Sequence, residues 1–190
     1  MAQESKFMNK SDWQKFIEQY SKDYDDSQDR DGKLYYPYIS DEGFLKKDDF
    51  LKNLWQWKMQ VHYYNKNSKK ALKLMEGKKE KIRNFRKSKP SFDELCNFSR
   101  EIFPTGLIYP IFLMHICKPE EYPIFDQHVF RAFTYRTKNI IVDKPKSIED
   151  YQKYKEFVFQ IKKYGFSLRS IDKSLMAYGQ SLVNSKKILK

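Results

Sequence analysis

The sequence is short of cysteine, glycine, proline and histidine, and each shortage argues against a class of structure. Its two cysteines, Cys96 and Cys117, cannot supply a four-thiolate zinc or iron–sulfur site, so we interpret them as small core residues. Six glycines and 7 prolines are few for an all-β protein, which needs many tight turns. The 3 histidines are scattered without metal-binding spacing, and the sequence predicts neither a metal site nor a cofactor.

Long apolar segments are also missing. The opening residues, MAQESKFMNK, lack the apolar core of a secretion signal. No segment approaches the roughly 20 apolar residues that a membrane-spanning helix needs. We therefore expect a soluble, monomeric, cytoplasmic protein, associated at most with a bacterial nucleoid, that has no membrane partner.

What the sequence does have is apolar material and positive charge. Hydrophobic residues make up 40% and aromatic residues 17%, which is enough for a core, and the formal net charge is +12. Residues 66–89 hold 11 Lys or Arg against 2 Asp or Glu, and residues 137–190 hold 12 against 5. These basic segments flank a near-neutral apolar centre, a pattern that suits a polyanion lying across a cleft. The alternative is a lysine-rich protein whose charges are merely solvated.

Helix signals recur along the whole chain and no alternating strand pattern occurs. Helix starts are predicted at Ser11, Ser91 and Ser147, and Gly77 is expected to break a lysine-rich helix. Asp23–Gly43 is predicted to be an extended loop and Asn139–Lys146 a linker. We expect one all-α domain over residues 1–190, a two-lobed helical bundle with a helix-hairpin-helix-like element and a cleft between lobes. The predicted lobes are residues 1–90 plus 147–190, and residues 91–146.

The central segment has the most distinctive order of elements. A short helix over Ser91–Phe103 is followed by the turn Phe103-Pro104-Thr105-Gly106 and an apolar helix over Leu107–Cys117. A loop then leads to Asp126, where another helix begins. This order resembles the helix-hairpin-helix DNA glycosylase superfamily, in which main-chain amides of a hairpin bind the DNA backbone and an aspartate lies downstream. The run Asp126-Gln-His-Val-Phe-Arg131, with Pro123 upstream, is similar to the family's Pro-x-Asp-x-His pattern with one extra residue.

Asp126 is the candidate catalytic residue. Breaking an N-glycosidic bond develops positive charge on the sugar, which a carboxylate in a water-poor pocket can stabilise. Dry surroundings are expected from nearby apolar residues: Tyr122, Ile124, Phe125, Val129 and Phe130. The helix that follows should keep Asp126 ionised through its dipole. The alternative is that Asp126 is simply an N-cap, and one carboxylate can do both.

The resemblance also implies residues that contact DNA. The DNA backbone would be contacted by Thr105 and Gly106 of the hairpin and by His128 and Arg131. For His128 and Arg131 the alternative is a surface position without function. The basic segment adds Lys78, Lys79 and Lys81 as candidate phosphate contacts. His115, within the apolar helix, is predicted to be a core histidine with satisfied hydrogen bonds.

Two departures from the family pattern matter. The family hairpin has two glycines, whereas here Pro104 stands near one of their positions and only Gly106 remains. Family members that also cleave the strand carry a lysine just after the hairpin, and this chain has no lysine between Arg100 and Cys117. Water is therefore the predicted nucleophile, and the enzyme would be monofunctional.

A base that leaves the duplex needs a pocket with aromatic walls. The candidates for stacking on it share only their aromatic character: Trp55, Trp57, Tyr35, Tyr36, Tyr38, Tyr63, Tyr64 and Tyr122. Core packing is the alternative for each of them.

The sequence thus predicts a DNA glycosylase that acts on double-stranded DNA containing a damaged or modified base, in base-excision repair or in defence against phage. The main alternative is a non-catalytic helical protein that binds DNA or RNA and retains the fold. A metal-dependent nuclease is a third option, which the single candidate carboxylate disfavours.

Overall fold

The computed structural model describes residues 8–24, 30–60 and 65–188. Across these ranges the secondary structure is helical and contains no β-strand, which confirms the all-α prediction. Tyr63, Tyr64 and His62 lie outside the described residues. A π-helical turn covers Asp31–Tyr35, and the α-helices are α1 (Lys10–Lys22), α2 (Tyr36–Ile39), α3 (Asp41–Lys46), α4 (Phe50–Met59), α5 (Lys66–Glu76), α6 (Lys79–Lys87), α7 (Phe92–Ile102), α8 (Ile108–Cys117), α9 (Gln127–Lys138), α10 (Ile148–Lys162) and α11 (Leu168–Ile188).

The helices fall into two compact units, and the first comprises residues 1–25 and 123–190. In this unit α11 packs along α9 and α1 and also contacts α10. Its core is aromatic: the Trp13 ring lies 5.6 Å from that of Phe157, and Phe16 lies 5.2 Å from Tyr178. The apolar faces of α1, α10 and α11 therefore meet as a helical bundle.

The second unit comprises residues 26–122 and is built around α8. All residues from Pro110 to Cys117 are buried, as expected for a helix that is apolar on every side. This helix packs against α7 and α6, while α4 packs against the π-helical turn, α2 and α5. Pro110 is accommodated in the first turn of α8, where its missing N–H breaks no hydrogen bond within the helix.

These units do not coincide with the lobes predicted from the sequence. Both divisions join α1 to the C-terminal helices, but the structure groups residues 26–90 with α7 and α8, and it groups α9 with α10 and α11. The reason is the long contact between α9 and α11 and the contacts of α5 and α6 with α7 and α8. Amphipathic patterns show that each helix has an apolar face without showing which partner covers it.

Local signals located most helix ends correctly. Ser91 and Glu94 form the predicted capping box of α7, and the Asp150 carboxylate accepts from the main-chain N–H of Ser147 at 3.3 Å. Gly77 separates α5 from α6 as predicted. The first helix begins earlier than predicted, because Asn9 and not Ser11 is its cap and accepts from the N–H of Asp12 at 3.0 Å.

The prediction of an extended loop over Asp23–Gly43 was wrong for its described second half. Residues 31–39 are helical, and Ser40 caps α3 by accepting from the N–H of Gly43 at 3.1 Å. Pro37 lies in the first turn of α2, a position that suits proline and does not indicate a loop. The acidic, tyrosine-rich composition is typical of a loop, but tertiary contacts order this segment. One of them is the hydrogen bond that Trp57 Nε1 donates to buried Asp31 at 2.9 Å.

Candidate active site

Asp126 is the N-cap of α9, with extended backbone angles. Its Oδ1 accepts from the main-chain N–H of His128 at 2.7 Å and of Val129 at 3.1 Å. The side chain is half-buried, whereas Phe125 before it and Val129 after it are fully buried. The carboxylate is therefore held in one orientation at the positive end of a helix.

Two buried tyrosines hold the main chain that leads to Asp126. Tyr151 OH donates to the carbonyl of Pro123 at 3.3 Å, and Tyr154 OH donates to the carbonyl of Ile124 at 3.0 Å. We call this pair the carbonyl clamp. The Phe125 ring packs against both of their rings, with its centroid 5.2 Å from that of Tyr151 and 5.1 Å from that of Tyr154. The clamp places the loop by hydrogen bonds and by aromatic packing together.

The Tyr154 hydroxyl of the carbonyl clamp remains protonated and so remains a hydrogen-bond donor. Burial raises the pKa of Tyr154 well above its usual value, and the nearby carboxylates of Asp172 and Asp126 raise it further. Tyr154 consequently keeps its proton over the whole physiological range. Nothing in the sequence indicated a partner for either hydroxyl, although a buried tyrosine normally requires one.

In the second unit a hydrogen bond to a main-chain carbonyl also holds Tyr122, the residue before Pro123. His115 Nδ1 lies 2.7 Å from the carbonyl of Tyr122, and Nε2 lies 2.8 Å from the hydroxyl of Tyr35. A carbonyl only accepts, so Nδ1 carries the proton. His115 is buried, which confirms the prediction of a satisfied core histidine. The hydrogen bond from His115 to the Tyr122 carbonyl fixes the main chain in the loop that leads to Asp126.

Hydrogen exchange and stability of Tyr154→Phe test the carbonyl clamp. Loss of the hydroxyl leaves the buried carbonyl of Ile124 without that donor, so we expect a loss of about 1–3 kcal/mol in the free energy of unfolding. The amides of His128 and Val129 should exchange faster. Tyr164→Phe is the matched control, because its half-buried hydroxyl makes only a 3.4 Å hydrogen bond to the carbonyl of Met8. Equal effects of the two variants would show that the clamp does not hold the loop.

Arg131 lies inside the first unit, and this corrects both sequence-based interpretations of it. It is only 5% exposed, so it is neither a surface residue nor placed to contact a phosphate. Its Nε donates to Asp143 at 2.7 Å and Nη1 donates to the carbonyl of Gly179 at 3.1 Å. Arg131 thus links α9, the 139–147 linker and α11, and neither Asp143 nor Gly179 was identified from the sequence.

Arg131 also fixes the ring of His128. Arg131 Nη1 lies 3.0 Å from His128 Nδ1, and because a guanidinium only donates, Nδ1 must accept. The neutral His128 ring therefore carries its proton on Nε2. His128 is half-buried and lies two residues after Asp126 in the chain, and in this tautomer its Nε2 is the hydrogen-bond donor of the ring.

The predicted hairpin turn lies in the second unit, between α7 and α8. Thr105 and Gly106 are exposed, and Gly106 has a φ of +74°, a conformation that glycine adopts without strain. The two helices on either side of it pack together. Leu107 is the N-cap residue of α8 and makes no side-chain cap, so the first amides of this helix are not covered by a capping side chain.

The candidate aromatic residues divide by burial. Trp55 is 1% exposed and its Nε1 donates to Ser68 Oγ at 2.9 Å, so it has no ring face for a base. Trp57 and Tyr122 are buried as well, and burial raises the pKa of Tyr122 to about 12. These three positions correct the sequence-based pocket assignment in favour of core packing. Tyr36 is 48% exposed, and Tyr38 is half-buried with its hydroxyl 3.4 Å from Asp49.

The candidate lysines differ in their surroundings. Lys78 is exposed, whereas Lys79 pairs with Asp48 at 3.4 Å and Lys81 pairs with Glu101 at 3.7 Å. Arg83 Nη1 also pairs with Glu80 at 2.9 Å. Much of the positive charge of α6 is thus already compensated within the protein.

Both cysteines are free thiols, and burial raises the pKa of Cys117 to about 12. In the ranges that the structure covers, no group of three or more His, Cys, Asp or Glu residues is placed to hold a metal ion. Likewise, none of the helices described is long and apolar enough to cross a membrane.

Comparison with known proteins returned no match: no family model, curated protein or solved structure is detectably similar to this chain.

Proposed function

We propose that this protein is a monofunctional DNA glycosylase, which hydrolyses the bond between deoxyribose and a damaged or modified base and leaves an abasic site. The observation that carries the proposal is the setting of Asp126. Two amides orient its carboxylate at the start of α9, buried apolar residues flank it, and the carbonyl clamp holds the loop before it. A carboxylate held in this way is suited to stabilise a cationic sugar.

In the proposed reaction the bond from C1′ to the base breaks and its electron pair leaves with the base. The charge that develops on the sugar is stabilised by Asp126, which also orients the attacking water. The water oxygen bonds to C1′, one of its protons remains in the new hydroxyl and the other reaches the departing base. In this proposal His128, whose proton is on Nε2, donates a hydrogen bond to the DNA strand.

The turn between α7 and α8 supports DNA as the substrate. Its residues Thr105 and Gly106 are exposed, and the uncapped amides of α8 are suited to a phosphate oxygen. Pro104, which stands near a glycine position of the family pattern, lacks an amide N–H that such a hairpin would use. We therefore expect weaker backbone binding here than in a hairpin with two glycines, and a larger share of affinity from lysines.

Mass spectrometry of released bases tests the proposal. The purified protein is incubated with genomic DNA, phage DNA and duplexes that carry a panel of modified bases, and one DNA pool is treated with alkali afterwards. We expect one class of free base and strand breaks that appear only after alkali, because no lysine follows the hairpin. Addition of EDTA should not change the yield.

Two other outcomes would replace the proposal. Salt-sensitive binding without release of any base would identify a non-catalytic DNA-binding protein, the alternative that the altered hairpin favours. Strand cleavage that EDTA abolishes would identify a metal-dependent nuclease.

A further inference from the structure

Helix α5 carries a stripe of four lysines. Lys66, Lys69, Lys70 and Lys73 follow the spacing of one helical face and fall within an arc of about 100°. All four are exposed. The opposite side of α5 is anchored in the second unit by buried Met75 and by Ser68, which accepts from Trp55 Nε1. The four lysines therefore point away from the core because the helix cannot rotate.

The charge of this lysine stripe is not compensated as that of α6 is. Lys79, Lys81, Arg83 and Arg86 of α6 each pair with a carboxylate of the protein. For the stripe, no ion pair is recorded among the described residues, and the single acid of α5, Glu76, lies 4.0 Å from Lys79. In the sequence all the cations of residues 66–89 look alike. In the structure they fall into two groups, the paired cations of α6 and the lysine stripe of α5.

We infer that the lysine stripe of α5 binds the phosphate backbone of double-stranded DNA without reading its sequence. Lysine is a strongly hydrated point charge that suits phosphates better than base edges. Lys66 and Lys73 are about 10 Å apart along the helix axis, a span that covers neighbouring phosphates of one strand. The inference rests on DNA as the proposed substrate and is independent of the proposed chemistry of Asp126.

The same face disfavours other polyanions. An interfacial membrane helix needs a broad apolar side to insert into lipid, but Met75 of α5 is fully buried and Leu74, 47% exposed, is the one large apolar side chain that this helix exposes. Single-stranded nucleic acid is bound by stacking on exposed aromatic rings, and α5 has no aromatic residue. A duplex, in which phosphates line the outside, is the polyanion that fits a stripe of lysines alone.

The test replaces the lysine stripe by alanines in K66A/K69A/K70A/K73A, which keeps helix propensity high. Binding to an unmodified duplex of about 30 base pairs is measured across a salt series. We expect the slope of log K against log salt to become shallower by about 3 to 4, and affinity at low salt to fall by tenfold or more. K66R/K69R/K70R/K73R should retain both.

The matched control is K10A/K15A/K22A/K153A, which removes the same charge from exposed lysines of α1 and α10. If this control changes the salt slope as much as the stripe variant does, the stripe is not a specific DNA surface and the inference fails. It also fails if the stripe variant binds duplex DNA normally but loses single-stranded RNA or anionic phosphatidylserine vesicles. Base release plays no part in these readouts, so an inactive glycosylase does not affect the result.

Discussion

Asp126→Asn is expected to lower the rate of base release by at least about 100-fold and to leave the fold intact. The amide side chain keeps an oxygen that can accept from the N–H groups of His128 and Val129, and asparagine is as good an N-cap as aspartate. What is lost is the negative charge that would stabilise the cationic sugar. The single-turnover rate of base release and the urea midpoint are the two measurements.

Two further variants separate the cap from the charge. Asp126→Ala removes both, so it should lose activity and about 1 kcal/mol of stability. Ser40→Ala removes the cap of α3, where Oγ accepts from Gly43 N–H at 3.1 Å, and should lose similar stability with activity unchanged. Asp126→Asn should bind DNA as tightly as the wild type or more tightly, since a charge that repels phosphates is gone. Turnover equal to that of the wild type in Asp126→Asn would refute the catalytic role of Asp126.

The sequence located Asp126 and its helix because the signals there are local. An aspartate before an amphipathic segment is an N-cap pattern, and α9 does begin at Gln127. The apolar composition of 107–117 was equally sufficient to predict the buried helix α8. Signals of this kind depend on neighbours in the chain and not on the tertiary structure.

What the sequence could not provide was the set of partners that lie far apart in the chain. The hydroxyls of Tyr151 and Tyr154 reach the carbonyls of Pro123 and Ile124, which are 28 and 30 residues away, and no spacing rule connects them. Arg131 was misinterpreted for the same reason, because its partners Asp143 and Gly179 become visible only when α9, the linker and α11 are packed. Charge pairing in α6 is a third example, since Asp48 is distant in sequence from Lys79.

The close packing at Gly179 leads to the largest stability effect that we expect. A Cβ atom at Gly179 would lie 2.0 Å from the carbonyl oxygen of His128 and 2.7 Å from its carbonyl carbon. Because both atoms belong to the main chain of α9, no side-chain rotation can relieve the clash. We expect Gly179→Ala to destabilise the protein by about 3 kcal/mol or more, even though alanine favours the helix by about 1 kcal/mol.

Gly77→Ala is the matched control for this variant. Its Cβ would meet only the carbonyl oxygens of Leu74 and Lys73, at 3.5 and 3.6 Å, and its φ of −64° suits any residue. We expect this change to be neutral or to stabilise by up to about 1 kcal/mol. Urea unfolding of both variants gives the comparison. A stability of Gly179→Ala equal to that of the wild type would mean that α9 and α11 are further apart in solution than this structure has them.

Gly179→Ala should also shift the first turn of α9, because the residue displaced is His128, whose amide binds Asp126. Base release should then fall together with stability, whereas in Asp126→Asn activity should fall alone.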